Sequence, residues 1–261
     1  MFAERDRSLK WQRYEIKYLI GEAQAAEIRH YCRKYLPPDP HSSHRVDCEY
    51  PVLSVYLDSP SRELLRATLL RQAQRYKLRV RTYRQCGESA TNLPAYYEIK
   101  RKVCGVVHKT RARVEPPLAE HLLWQEQLVP WGGNGKAAAA EANLNEFQQL
   151  QGRIGARPAV GVFYRREAYE GTSADNVRVT LDRDLHYGLL APPGNGRREM
   201  WWPVDAGGVI LEIKFTDTYP FWVADMLHRV ELMQRGVCKY VICSCAAGGC
   251  ESGMEVEQAL P

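Results

Sequence analysis

Basic side chains stand at every second position from Arg75 to Arg81, with Tyr76, Leu78 and Val80 between them. Read as a strand, Arg75, Lys77, Arg79 and Arg81 line one face and the apolar residues line the other. Same-face neighbours lie about 6–7 Å apart, and two like charges at that distance repel by roughly 2–3 kcal/mol at an effective dielectric near 20. Such a strand is either a solvated edge or a surface that binds an anion. Lys109, Arg111 and Arg113 repeat the basic alternation. Three further places add a carboxylate two residues before a lysine: Glu15-Ile16-Lys17, Glu98-Ile99-Lys100 and Glu212-Ile213-Lys214. Tyr164 and Arg166 share a face, as do Arg178, Thr180 and Asp182. An isolated acid–base pair on a solvated strand is a salt bridge worth about 0.2–1 kcal/mol. The ensemble, with same-sign neighbours at 75–81 and 109–113, points instead to a localised anionic ligand.

The elements that position these residues read as strands alternating with a few amphipathic helices. Strand period two covers 11–20, 50–58, 75–83, 95–103, 106–114, 158–169, 176–184 and 208–215, and a last short strand is expected at 238–243. Residues 95–103 and 106–114 form a hairpin turned near Cys104-Gly105. Helical spacing covers 21–36, a short segment capped by Ser59 or Ser61 with Leu64, Leu65, Thr68 and Leu69 inward, and a helix opened by Pro220 and running to about 235. Residues 118–155 form an irregular helical region, and 188–203 a Pro/Gly/Arg-rich loop. Gly132-Gly133-Asn134-Gly135-Lys136 imitates a phosphate loop, but Pro130 and Ala137 stand where Walker A needs Gly and Ser or Thr.

Composition sets bounds. At 261 residues with 36 basic and 31 acidic side chains, the net charge of +5 is modest, so the basic faces mark a localised site rather than a polybasic surface. No apolar run approaches the 18 or so residues of a membrane span, and no signal-peptide pattern opens the chain. A soluble, cytoplasmic protein is expected. The eight cysteines form no disulfide framework of a small secreted domain, and Cys243, Cys245 and Cys250 lack a second pair to complete a zinc pattern. Reduced, mostly buried thiols are expected. Aromatics for base stacking do not recur on the charged faces, so nucleic acid is not an expected partner.

One charged and one apolar side on so many strands fits a closed barrel with a polar lumen and helices packed outside. The expected fold is therefore α+β: a closed eight-stranded antiparallel β-barrel forming one domain over residues 1–261, with a core of about 10–245 and a loosely ordered tail from 246.

Arg13-Tyr14-Glu15-Ile16-Lys17-Tyr18-Leu19, Val55-Tyr56-Leu57-Asp58-Ser59, Lys77-Leu78-Arg79-Val80-Arg81, Tyr97-Glu98-Ile99-Lys100-Arg101-Lys102, Tyr164-Arg165-Arg166-Glu167-Ala168, Leu211-Glu212-Ile213-Lys214 and Cys238-Lys239-Tyr240 together resemble the VTC domain, the polyphosphate polymerase branch of the triphosphate tunnel metalloenzymes. The resemblance implies a basic tunnel that takes ATP and polyphosphate, or tripolyphosphate, and transfers the γ-phosphate of ATP to a growing chain with release of ADP. It implies that Arg79, Arg81, Arg166, Lys100 and Glu212 carry the reaction. Lys17, Lys77, Lys109, Arg111, Tyr164, Lys214 and Lys239 would bind the phosphorylated ligands, and Glu212 with Glu15 would hold Mn2+ or Mg2+. Two departures stand out. Arg13 occupies the first position of the superfamily's Glu-x-Glu-x-Lys, and Gly236-Val237-Cys238-Lys239 replaces the branch's Lys-x-Ser-Lys. A tunnel hydrolase and a non-catalytic polyphosphate or inositol polyphosphate sensor remain as alternatives. Any membrane translocation path would need a separate partner.

Overall fold

The computed structural model describes residues 13–43, 48–83, 93–104, 106–116, 118–124, 138–171, 177–191, 200–216, 218–232 and 236–250. Eight antiparallel strands make up the sheet: β1 (Arg13–Ile20), β2 (Glu49–Asp58), β3 (Gln74–Tyr83), β4 (Ala95–Val103), β5 (Val106–Val114), β6 (Arg157–Glu170), β7 (Arg178–Leu189) and β9 (Val209–Thr216). Their order is β1-β9-β7-β6-β2-β3-β4-β5, and a short β8 (Met200–Pro203) pairs with the far end of β7. β1 and β5 end the hydrogen-bonded path. The sheet is therefore an open half-barrel, not the closed barrel expected from the alternation. Period two specifies that a sheet has two unlike faces; whether its first and last strands pair is a separate matter. Across the open side, side chains make the link, with Lys100 Nζ of β4 at 3.2 Å from both carboxylate oxygens of Glu15 on β1.

The helices are α1 (Glu22–Tyr35), α2 (Glu63–Leu69), α3 (Leu118–Trp124), α4 (Ala138–Arg153), α5 (Phe221–Arg229) and α6 (Lys239–Ser244). On the convex side, Ile28 and Cys32 of α1 and Val223 and Met226 of α5 pack with Val179, Leu181, Leu211 and Ile213. Farther along, Leu122 of α3 and Leu144 and Phe147 of α4 cover Leu78, Val80, Tyr97, Ile99 and Val114. A third core lies on the concave side, where Tyr240, Val241, Ile242 and Cys243 meet Val52, Val162, Tyr164, Leu185 and Ile210.

Several local expectations need correction. Residues 239–244 are α6, not a strand. The opening helix turn of α2 is held by Asp58, whose carboxylate accepts from the Leu64 and Leu65 N–H groups at 2.9 and 3.0 Å, while Ser59 Oγ accepts from Glu63 N–H and shares a hydrogen bond with Ser61 Oγ. β7 runs on to Leu189, and β8 lies inside the supposed 188–203 loop. α5 stops at Arg229. Cys245 and Cys250 are joined in a disulfide, so those two thiols are not free; Cys32 and Cys243 are buried and free as expected, Cys48 and Cys238 are partly exposed, and Cys104 is exposed. Residues 245–249 form a π-helical turn, and Cys245, Ala247 and Cys250 pack against the concave core, so the first part of the tail is ordered. The Walker-like segment and Cys86 lie outside the described residues. Among the described residues, no helix is long and apolar enough to cross a membrane.

Candidate anion-binding trough

Strand register brings the charged positions into one concave surface. β1 and β9 set Glu15 opposite Lys214 and Lys17 opposite Glu212. β3, β4 and β5 set Arg79, Glu98 and Arg111 in one row and Lys77, Lys100 and Lys109 in the next. β2 sets Ser54 opposite Arg81 and Tyr56 opposite Arg79. The N-terminal end of α6 adds Lys239, and Cys238 precedes it.

Three carboxylate centres organise the cations. Glu98 is paired with Arg79, whose Nε donates at 2.8 Å, and its other oxygen lies 2.6 Å from Lys109 Nζ and 3.0 Å from Arg111 Nε. Asp182 accepts a two-pronged pair of bonds from Arg166 Nε and Nη2 at 2.6 and 2.7 Å, and Lys239 Nζ lies 2.6 Å away. Glu15 and Glu212 are bridged by Lys17, at 3.0 and 3.2 Å, and Lys214 sits 3.1 Å from Glu212. Arg81 is held differently. Its Nε donates to Ser54 Oγ at 3.0 Å and its Nη2 to the Tyr164 hydroxyl at 3.1 Å; among the described residues it forms no ion pair, although it is buried. Lys77 Nζ donates to Cys238 Sγ at 3.0 Å.

The electrostatics follow from this crowding. Burial and the neighbouring Glu212 push the Glu15 carboxyl up, but Lys17, Lys100 and Lys214 outweigh them and hold it well below the ordinary range. Burial likewise opposes ionisation of Glu98 and Glu212, and the surrounding cations reverse it: Arg79, Arg81 and Lys109 for the first, Lys17, Lys214 and Lys239 for the second. Lys17 is raised, its burial more than offset by Glu212 and Glu15. Lys100 goes the other way, lowered to about 8 by burial and by Lys17 and Lys214, against the pull of Glu15 and Glu212. Burial raises the Cys238 thiol, but Lys77 and Lys17 bring it down to about 7. Ten cations (Lys17, Lys77, Arg79, Arg81, Lys100, Lys109, Arg111, Arg166, Lys214, Lys239) thus face four carboxylates (Glu15, Glu98, Asp182, Glu212). A trough with that imbalance is matched by a multiply charged anion.

All thirteen expected site residues meet here, Tyr164 included. That reading passed over Glu98 and Asp182 as centres, Ser54 and Tyr56 as partners of the arginines, and the aromatics. Tyr56, Tyr83, Tyr96 and Tyr164 stand among the cations, contrary to the expectation that the charged faces lack rings: Arg79 lies over Tyr56, Arg111 over Tyr96 at 3.9 Å, and Arg166 and Lys239 over Tyr164. Tyr83 shares strand parity with Arg81, so that signal was present in the sequence.

The residues fit a hard divalent ion in part. Among the described residues no group of three or more ligating side chains exists, yet Glu15 and Glu212 converge on one ammonium group. Such an ion is served by one or two carboxylates when phosphate oxygens and waters complete its shell. Glu15 and Glu212 are the carboxylates placed to hold such an ion.

The sequence profile of the VTC domain matches residues 12–247. The chain belongs to the VTC domain family. VTC domains are the polyphosphate-polymerase type of tunnel fold, and the match spans all of the trough's strands together with α6. No curated protein sequence matches the chain. Among solved structures, the PH1819 protein from Pyrococcus horikoshii OT3 is similar at 13% identity and a TM-score of 0.45, covering 90% of this chain and 99% of that one. In this VTC domain the second departure is now placed. The position usually held by serine carries the Cys238 thiol against Lys77, and Gly236 supplies no cation where the family has a lysine.

Proposed function

We propose that this VTC domain is a polyphosphate polymerase that uses ATP and a divalent ion. The observation that carries the reading is the excess of cations over carboxylates on a single concave face, with the buried Arg81 guanidinium left without an ion pair among the described residues. Phosphoryl transfer asks little covalent chemistry of a protein and depends on positioning and on neutralising charge at the phosphate oxygens. Arg79, Arg81 and Arg111 suit two-pronged contacts to phosphate, and the lysines act as point charges. An oxygen of the terminal phosphate of the chain attacks the γ-phosphorus of ATP; the bond from that phosphorus to the β-phosphate oxygen breaks, and ADP leaves. Tyr164 and Ser54 keep Arg81 fixed during the exchange. When bound at Glu15 and Glu212, the ion supplies Lewis-acid polarisation of phosphate oxygens.

The test is incubation of the purified protein with ATP and Mn2+, with polymer resolved on a gel and ADP and phosphate by chromatography. Growing polymer with matched ADP is expected in the wild type, with losses on the order of a hundredfold or more in Glu212→Gln and Arg81→Ala, since one positioned electrostatic group is worth about 2.7–4 kcal/mol. Unchanged turnover in both variants overturns the mechanism. Free phosphate without polymer identifies a hydrolase.

A further inference from the structure

β7 changes neighbours along its length. Arg178–Asp182 ladder with β9 and His186–Leu189 with β8, so the sheet forks between them, with Asp184 in a left-handed conformation at the fork. A cavity of about 430 Å3 opens there, within the range of about 300–1,000 Å3 usual for small-molecule sites. Tyr164, Asp182 and Lys239 line it and also belong to the trough, so cavity and trough meet at those three side chains. Leu185 and Val204 give its walls an apolar part, Arg183 and Glu22 line it as an ion pair at 3.2 Å, and the exposed Asp184 and Asp205 also line it. One oxygen of Asp205 accepts from the Gly207 N–H at 2.7 Å, which fixes the carboxylate in place.

The two compartments have opposite character. The trough is cationic; the Asp184 and Asp205 carboxylates repel a phosphate chain but accept hydrogen bonds from hydroxyl and amino groups. A ligand anionic at one end, with a flat apolar body and neutral donors at the other, satisfies both. We infer that this cavity seats the nucleoside of a nucleoside triphosphate, with its phosphates passing Lys239 into the trough. The inference rests on the phosphate-transfer reading above and names the place where its nucleotide is recognised.

The experiment compares ATP with inorganic tripolyphosphate by titration calorimetry, in the wild type and in Ala206→Phe, which places a ring into the cavity from its lining loop. The expected result is at least a tenfold loss of ATP affinity with tripolyphosphate affinity changed less than twofold. Equal effects on both ligands, or none on either, overturn the seat while leaving the trough intact; wild-type protein that binds neither ligand overturns the trough reading itself. Photolabelling of the wild type with 2-azido-ATP reports independently of any variant. Label within 184–210 supports the seat, and label confined to the Tyr83–Tyr96 region overturns it.

Discussion

Lys100 shows what a single side chain in the trough can report. Its ammonium is lowered to about 8 by burial and by neighbouring lysines, so near pH 8 it is about half protonated. In the unbound protein the unfolded chain holds more protons on this group between about pH 8 and its ordinary value near 10.4, so its contribution to stability rises with pH across that window. A phosphate chain laid beside it adds negative charge and lifts the value. Binding of tripolyphosphate at pH 8 should then take up a fraction of a proton, seen as a binding enthalpy that varies with the ionisation enthalpy of the buffer. Lys100→Met should reduce that uptake. Buffer-independent heats in the wild type would show that Lys100 does not meet the ligand.

At the scale of elements, α6 and α2 share one buried carboxylate. Asp58 accepts from two N–H groups of the first turn of α2, and the Tyr240 hydroxyl of α6 donates to it at 2.5 Å. Asp58→Ala leaves four donors without an acceptor, the Ser59 N–H at 2.8 Å among them, and since each such group costs about 1–3 kcal/mol, a loss of at least about 2 kcal/mol is expected in urea unfolding. Tyr240→Phe, which removes a donor along with its bond, should cost less. Equal losses would show that packing rather than the carboxylate joins the two helices. α6 was also where the sequence misled. Tyr240-Val241-Ile242 has strand composition, but its helix cost is only some tenths of a kcal/mol per residue. Burying each of those side chains against β6 and β7 contributes about 1.5–3 kcal/mol as an upper estimate, so tertiary packing decides. The strands that carry Arg79, Glu98, Lys100 and Glu212 were legible to within a residue or two because their alternation is set by one wet and one dry face. The Asp58 cap was missed because Ser59 and Ser61 offered nearer acceptors. The Cys245–Cys250 pairing has no signal in spacing alone.

For the whole molecule, the trough makes stability depend on its own ligand. Glu15, Glu98, Asp182 and Glu212 all ionise below their ordinary values. Their contribution is full above the unfolded value near 4 and disappears as pH falls through the folded values, leaving the ten cations to repel one another. The melting temperature should drop steeply below about pH 4, and tripolyphosphate should restore it, more so at low ionic strength. At a ligand concentration one hundred times Kd, the gain at any pH should be about 2.7 kcal/mol. A melting curve indifferent to tripolyphosphate would contradict a trough built for polyanions. Closure of the sheet, unlike its faces, was not legible, because β1 and β5 each alternate whether or not they touch. For the polymer proposed above, their separation has a consequence for how it would load. Through a sealed ring a thread must pass end first, so each molecule presents two starting points whatever its length. A channel whose seam is held by side chains, as by Lys100 and Glu15, would accept a thread broadside once they part, and the number of places where it could be picked up would then grow with the number of links.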